Sequence, residues 1–290
     1  MPELPEVETI RTGLESLLLG RAITNVWYDW PKSFPNAEAD VNTFLIAAKV
    51  VAVRRRAKVL LIDLDTDYSL VVHLKMTGQL VFRSDDQEFG AGHPTESLVG
   101  QLPDKSTRVV LDFSDGSHLF FNDQRKFGWM RLMPTIEVQN LAFFQKVGPE
   151  PLAADFTPEL FAERLNRRSK SGIKAVLLDQ TVIAGVGNIY ADESLWGAQI
   201  HPETKVFQLS ASQIKNLFTA LQDVLRLSIA KGGSTDKNYR DAEGKKGSYL
   251  SFAAVFRREG QPCPRCATTI IKTRVAGRGT HLCPSCQKQQ

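Results

Sequence analysis

CPRCATTIIKTRVAGRGTHLCPSC, residues 263–286, contains every cysteine of the chain: Cys263 and Cys266, a 16-residue spacer, then Cys283 and Cys286. Each C-x2-C pair sets two thiolates side by side, and two such pairs complete one tetrahedral zinc site when the spacer can form a hairpin. The spacer has that pattern. Thr269 to Val275 alternates and is β-branched, Ala276 to Gly279 reads as a turn, and Thr280 to Leu282 returns, which puts Arg278 at the hairpin tip. Two disulfides are the competing use of four cysteines. The chain opens on acids, where an export signal would carry Lys or Arg, so a reducing compartment and zinc are expected.

Outward from the ribbon, residues 227–290 carry 12 Lys+Arg against 4 Asp+Glu, a net of +8 within a total of +4. The remaining 226 residues are therefore net −4. A basic end of this kind suits a polyanion, the alternative being a solvated basic tail. A length of 290 residues predicts about two domains, and 42% apolar residues suffice for their cores. No run approaches the ~20 apolar residues of a membrane span, so a cytoplasmic protein with no membrane partner is expected.

Pro2 to Leu19 reads as an amphipathic helix with Val7, Ile10, Leu14, Leu17 and Leu18 on one face, Pro5 in its first turn and Gly20 at its end. From Ala22 to about Met133 come eight short β-rich runs: Ile23–Tyr28, Val50–Arg54, Val59–Leu64, Leu70–Leu74, Gln79–Phe82, Val109–Phe113, His118–Phe121 and Trp129–Leu132. They predict a sandwich or barrel, with Arg83 to Ser106 as a surface excursion. The proline-containing stretch Val147 to Pro158 reads as a connection. Helices are expected at Glu159–Arg168, Ile173–Leu178, Ile189–Trp196 with Asn188 as N-cap, and from a Ser210/Gln213 capping box to about Ala230. Gly232 to Ser248 reads as a loop.

The amino terminus allows a chemical reading. Removal of Met1 would leave Pro2 with a secondary amine whose pKa lies near ~8, far below a lysine, so part of it is unprotonated at neutral pH. Such an amine can attack a sugar C1′ carbon and expel a base; the iminium that results acidifies the C2′ proton for elimination. Glu3 stands beside it as an acid or base. A Pro-Glu start is equally an ordinary helix beginning.

PELPEVET at 2–9, RRRAKVLLIDL at 54–64, HLKMTG at 73–78, NDQRKFG at 122–128, AGVGNIYADESLW at 184–196, KGGST at 231–235 and the cysteine ribbon together resemble the formamidopyrimidine-DNA glycosylase family over essentially the whole chain. The resemblance implies a bifunctional glycosylase and AP lyase of base excision repair in bacteria, acting on double-stranded DNA with an oxidised base or abasic site. Pro2 would form the Schiff base with C1′ and Glu3 would protonate the opening sugar. Lys58 and Arg278 would serve β- and δ-elimination and also contact phosphate. Met76, Arg125 and Phe127 match the family's void-filling side chains, two apolar wedges and an arginine facing the orphaned base. Asn188 would anchor phosphate at a helix start, and His73 and Lys174 correspond to further DNA contacts; Lys174 could instead be a helix-surface charge. Ser106 stands where the family has a DNA-contacting histidine. Glu6 would line the lesion pocket beneath the closing loop Gly232 to Ser248, and Glu193 would steady the helix after Asn188.

The fold implied is α+β and multidomain: a catalytic β-sandwich with its leading helix (1–135), a linker (136–157), a helix-two-turn-helix domain with the lesion-capping loop (158–250) and a zinc finger (251–290). DNA is expected between the first and second. One structural Zn2+, no catalytic metal and a monomer follow. Two rivals remain: an endonuclease VIII-type enzyme for oxidised pyrimidines, and a catalytically silent zinc-ribbon DNA-binding protein. PELPEVE and the KGGST loop favour the purine-directed enzyme, and Pro2, Glu3 and Lys58 argue against the silent binder.

Overall fold

The structure, a computed structural model, describes residues 1–93, 95–234 and 249–289. The chain divides into two compact units, one comprising Met1–Gln145 with 231–234, the other Lys146–Ala230 with 249–289.

In the first unit, α1 (Leu4–Leu18) buries Leu4, Val7, Ile10, Leu14, Leu17 and Leu18. Beyond it lie β1 (Ile23–Tyr28), a short α2 (Glu38–Asp40), β2 (Val50–Arg56), β3 (Val59–Leu64), β4 (Tyr68–His73), β5 (Gly78–Arg83), β6 (Glu88–Gly92), β7 (Thr107–Phe113), β8 (His118–Asp123) and β9 (Trp129–Pro134). They form two antiparallel sheets, ordered β1-β7-β8-β5-β6 and β2-β3-β4-β9. Leu60, Ile62 and Val72 of one sheet share a core with Leu80, Phe82, Leu111 and Phe121 of the other and with α1. The outer faces are covered as well. Val59, Leu61 and Val71 pack under Val138 and Phe144, while Val81, Val110 and Phe120 pack under Leu98. Strands buried on both faces lose their alternation, which is why β3 is apolar at four successive positions from Val59 to Ile62.

Two sequence expectations change here. The excursion Arg83–Ser106 contains a strand, β6, whose Gly90 and Gly92 mask it from propensity; pairing with β5 and packing beneath α1 make it. Gly13 allows that packing, since a Cβ there would lie 2.2 Å from the Phe89 ring. The first part of the expected linker is structured too: a 3-10 turn at Thr135–Asn140 precedes α3 (Ala142–Lys146), and Val138 seals the outside of the sheet.

Strand pairing also sets which loops are neighbours. The β4–β5 loop (74–77) and the β8–β9 loop (124–128) both cross between the sheets; β4 pairs with β9, and β5 pairs with β8. The two loops therefore lie side by side.

The second unit packs α4 (Pro158–Asn166), α5 (Ile173–Leu178), α6 (Asn188–Gly197) and α7 (Ala211–Ala230) around Phe161, Leu177, Tyr190, Leu195, Leu217 and Leu221. Ser210 and Gln213 make the expected reciprocal cap: Gln213 N donates to Ser210 Oγ at 3.2 Å and Ser210 N to Gln213 Oε1 at 2.9 Å. Between α5 and α6 the chain makes two turns pinned by Gln180, whose Oε1 accepts from Gly185 N and whose Nε2 donates to Val186 O. β10 (Ile271–Val275) and β11 (Arg278–Leu282) pair through a two-residue turn, Ala276-Gly277, in which both residues have positive φ. That is the turn whose twist suits a tight hairpin, and the glycine supplies one of its positions freely. Among the described residues no helix is long and apolar enough to cross a membrane.

Candidate active site and nucleic-acid interface

Pro2 and Glu3 sit at the amino end of α1, both buried, with Glu3 at the N-cap. Glu6 fixes this end. Its Oε2 accepts from Glu3 N, the nitrogen of the Pro2–Glu3 peptide, at 2.8 Å, and its Oε1 accepts from Ser234 N at 2.8 Å. The carboxylate thus joins the Pro2 peptide to the start of the KGGST segment, where Gly233 has φ +83°. Residues 235–248 of the expected capping loop lie outside the described residues.

Lys58 occupies the two-residue turn between β2 and β3 and is buried. One turn into α1, Glu8 binds Arg55 Nε at 2.7 Å, and Arg55 Nη1 donates to Ala57 O at 3.0 Å. Glu8 also binds Arg11 Nε at 2.7 Å. Burial would raise the Glu8 pKa, but the two guanidinium groups outweigh it and hold the carboxyl below its ordinary value. This chain of contacts ties the helix that begins at Pro2 and Glu3 to the turn that presents Lys58.

His73, at the end of β4, packs against Trp129 and Phe143 with ring centroids 5.9 and 6.2 Å away. Burial, with the positive charges of Lys75 and Lys58, lowers its pKa to about 3. Its Nδ1 accepts from Lys75 N at 3.1 Å, so the neutral ring carries its proton on Nε2 and acts there as a donor.

Met76 lies on one sheet-crossing loop and Arg125 and Phe127 on the other. All three side chains are exposed, Met76 by 37% and Phe127 by 53%, which leaves apolar surface in water. The Arg125 guanidinium lies 4.8 Å from the Phe127 ring centroid.

Two expected contacts are placed differently. Ser106 is turned inward: its hydroxyl donates to Asp104 Oδ1 at 2.7 Å and lies 3.1 Å from Ser97 Oγ. Lys174 is fully buried, neither surface charge nor exposed phosphate ligand. Its Nζ pairs with Asp192 Oδ1 at 2.6 Å and donates to Thr280 Oγ1 at 2.6 Å and Gly279 O at 3.1 Å. Asn188 is the first residue of α6, not its cap, and its Nδ2 donates to the same Gly279 O at 2.9 Å. The Gly279 carbonyl, one residue beyond Arg278, is thereby held by two side chains, while Arg278 itself is exposed. Glu193 steadies α6 from the other side, accepting from Ala254 N, Val255 N and Phe256 N at 2.7–2.9 Å; burial raises its pKa against those donors.

The sulfur atoms of Cys263, Cys266, Cys283 and Cys286 all lie within 4.8 Å of one another, with three of the separations at 3.4–3.9 Å and no disulfide among them. A tetrahedron of thiolates about 2.3 Å from zinc has edges of about 3.8 Å, so the site fits the ion. The thiols' chemistry fits as well. Hydrogen bonds from Thr268 lower Cys266 to about 6, while burial and the neighbouring sulfurs push Cys286 up to about 12. Four thiolates this close need a divalent cation. With all four positions filled by sulfur, Zn2+ here is structural and has no site for an activated water. Trp196 Nε1 supports it by donating to Cys263 Sγ at 3.4 Å.

Sequence reasoning passed over Asp123, Asp192 and Gln180. Asp123 had a local signal, an aspartate opening a glycine-closed turn. Asp192 had none, because its partners are 18 and 89 residues away.

A β-sandwich led by a helix, followed by a helix-two-turn-helix and a four-cysteine hairpin, defines a class of zinc-ribbon DNA-binding fold. Comparison narrows the class. Residues 1–130 match the formamidopyrimidine-DNA glycosylase N-terminal domain, 147–239 its H2TH domain, and 260–289 the zinc finger found in FPG and IleRS. The formamidopyrimidine-DNA glycosylase of Chloroflexus aurantiacus is 44% identical over 99% of this chain and 98% of its own length; that of Enterococcus faecalis is 39% identical over the same shares. The Lactococcus lactis Fpg complex with abasic-site DNA superimposes with a TM-score of 0.86 at 34% identity, covering 99% of this chain and 100% of that one. The L. lactis complex with N7-benzyl-Fapy-dG DNA gives 0.86 at 35% over the same shares. The chain belongs to the formamidopyrimidine-DNA glycosylase family.

Proposed function

We propose that this chain is a cytoplasmic bifunctional DNA glycosylase of base excision repair that removes 8-oxoguanine and formamidopyrimidines from duplex DNA and cleaves the abasic site. The single observation that carries the reading is the buried Pro2–Glu3 start of α1, anchored by Glu6 and tied through Glu8 and Arg55 to the Lys58 turn. It puts an amine, an acid and an ammonium on one rigid element pair.

With Met1 removed, the Pro2 nitrogen attacks C1′, the C1′–N bond to the base breaks, and Glu3 supplies the proton that lets the sugar ring open. The product is an iminium between Pro2 and C1′. Loss of the C2′ proton then expels the 3′ phosphate, with Lys58 serving that step. Loss of the C4′ proton expels the 5′ phosphate, with Arg278 serving that one. His73 donates from Nε2 to a backbone phosphate in its neutral form. Met76, Arg125 and Phe127 enter the stack as the damaged base leaves it, which agrees with their exposure. The first N–H groups of α6 face a phosphate, and Ser106 and Lys174 act from inside the protein.

The test is borohydride trapping on duplex holding 8-oxoguanine opposite cytosine, with a dihydrouracil duplex, Pro2→Gly and a Met1-retaining form alongside. An adduct with the processed wild type, absent from the Met1-retaining form, is expected; Pro2→Gly keeps a free primary α-amine at the same place and reports how much the secondary amine contributes. Stronger trapping on dihydrouracil would assign the pyrimidine-directed branch; tight binding without any adduct would leave a silent binder.

A further inference from the structure

Asp123 is a fully buried carboxylate at the end of β8. Its Oδ2 accepts from Phe127 N at 2.7 Å and Gly128 N at 2.6 Å; its Oδ1 accepts from Arg125 N at 3.1 Å and from the Thr77 hydroxyl. Four donors from two loops converge on one side chain. One donor belongs to the residue after Met76, and two belong to Arg125 and Phe127 themselves. The main chain of Asp123 is held as well: its N–H donates to Ser106 O at 2.7 Å, and its carbonyl accepts from Arg108 Nε at 3.0 Å. Tight packing leaves the loops little freedom. A Cβ on Gly78 would lie 2.4 Å from Leu74 O, and one on Gly128 would lie 2.6 Å from the Phe121 ring and 3.2 Å from Asp123 Oδ2.

The geometry points to Asp123 as the positioning residue that joins the Met76 loop and the Arg125–Phe127 loop into one rigid wedge, so that all three side chains enter the duplex together. This rests on the reading of those three residues as void fillers. A charged acceptor suits the task because neither oxygen has to donate, and backbone N–H groups cannot change roles to accommodate an amide. In Asp123→Asn, an NH2 turned toward Phe127 and Gly128 meets two N–H groups. Turned the other way, it meets the Arg125 N–H and retains only the Thr77 hydroxyl, which can rotate to accept. Either way the 124–128 loop loses at least one of its three main-chain anchors on Asp123, and the two loops are joined less firmly.

The experiment compares Asp123→Asn, Thr77→Val and Phe127→Ala with wild type on two duplexes, one carrying 8-oxoguanine and one carrying a preformed abasic site, which has no base to extrude. The expected result for Asp123→Asn is a fall in excision kcat/KM of about tenfold or more, with abasic-site trapping within about twofold of wild type. Thr77→Val, which removes one donor of four, shows the same split between substrates with a smaller fall. A 2-aminopurine beside the lesion reports slower wedge entry in both variants. Normal excision by Asp123→Asn while Phe127→Ala is impaired would overturn the inference and leave the wedge reading standing. Normal excision by Phe127→Ala would overturn the wedge reading itself. Equal loss on both duplexes in Asp123→Asn and Thr77→Val alike would also overturn the inference, reducing Asp123 to a folding residue.

Discussion

Lys174 shows how far a residue's meaning depends on partners distant in sequence. In isolation IKAVLL presents a lysine on a short helix, and solvent is the ordinary place for its ammonium. Here Asp192, Thr280 and Gly279 surround it, and the pair with Asp192 is fully buried on both sides. Taking two charges out of water is costly, and removing one partner leaves the other uncompensated. Lys174→Met is therefore expected to destabilise the protein by about 3–5 kcal/mol, with part of that recovered by adding Asp192→Asn. Chemical denaturation of the two variants checks this. The same ammonium holds the Gly279 carbonyl beside Arg278, so the variant should also shift products from the 3′-phosphate of δ-elimination toward the unsaturated aldehyde of β-elimination, the shift expected more directly of Arg278→Ala. Unchanged product ratios in Lys174→Met, at full zinc content, would confine the lysine to stability.

At the scale of elements, α1 and the β2–β3 hairpin are joined by Glu8 and Arg55, side chains only 19% and 11% exposed. The folded-state pKa of Glu8 lies below its ordinary value, so the contribution of its charge to stability is complete above about pH 4.5 and is lost as pH falls through the folded value. Glu8→Gln should cost about 1.5–3 kcal/mol at pH 7, with the difference from wild type shrinking at pH 3.5; urea titrations at the two pH values decide it. Elements whose signal is local were readable from sequence. The α1 stripe, the Ser210 cap and the ribbon hairpin all encode themselves within a few residues, although the hairpin turn is the pair Ala276-Gly277, tighter than the expected Ala276 to Gly279, and Arg278 opens β11 opposite Val275. β6 was not readable, since Gly90 and Gly92 become strand only where β5 offers an edge and Phe89 finds the space above Gly13. Nor was the neighbourhood of the wedge loops, which follows from β4 pairing with β9 while β5 pairs with β8. The motifs single out Met76, Arg125 and Phe127; only topology explains why Arg125, Phe127 and the residue after Met76 share one carboxylate.

For the whole molecule, the decisive quantity is the partition of charge: +8 in residues 227–290 and −4 in the rest, which includes Pro2, Glu3 and Lys58. The excess of cations that would attract a polyanion thus lies in the last 64 residues of the chain. Each phosphate neutralised by a cation releases counterions and adds about −0.9 to the slope of log Kobs against log salt. Most of that slope should then come from the basic end. Lys272 and Arg274 project from β10, both exposed; Lys272 lies 3.3 Å from Glu259, an exposed pair worth little, so it too can turn to a phosphate. Alanine at Arg274 is expected to weaken binding to intact and abasic duplex alike and to flatten the slope by about 0.9, with trapping at saturating DNA unchanged. Fluorescence anisotropy across a salt series measures it on the full zinc-bound chain. A variant that weakens binding without changing the slope would mean that Arg274 supports the hairpin and does not meet the phosphate backbone. The polyanion reading of the basic end would then have to rest on other cations of the same segment.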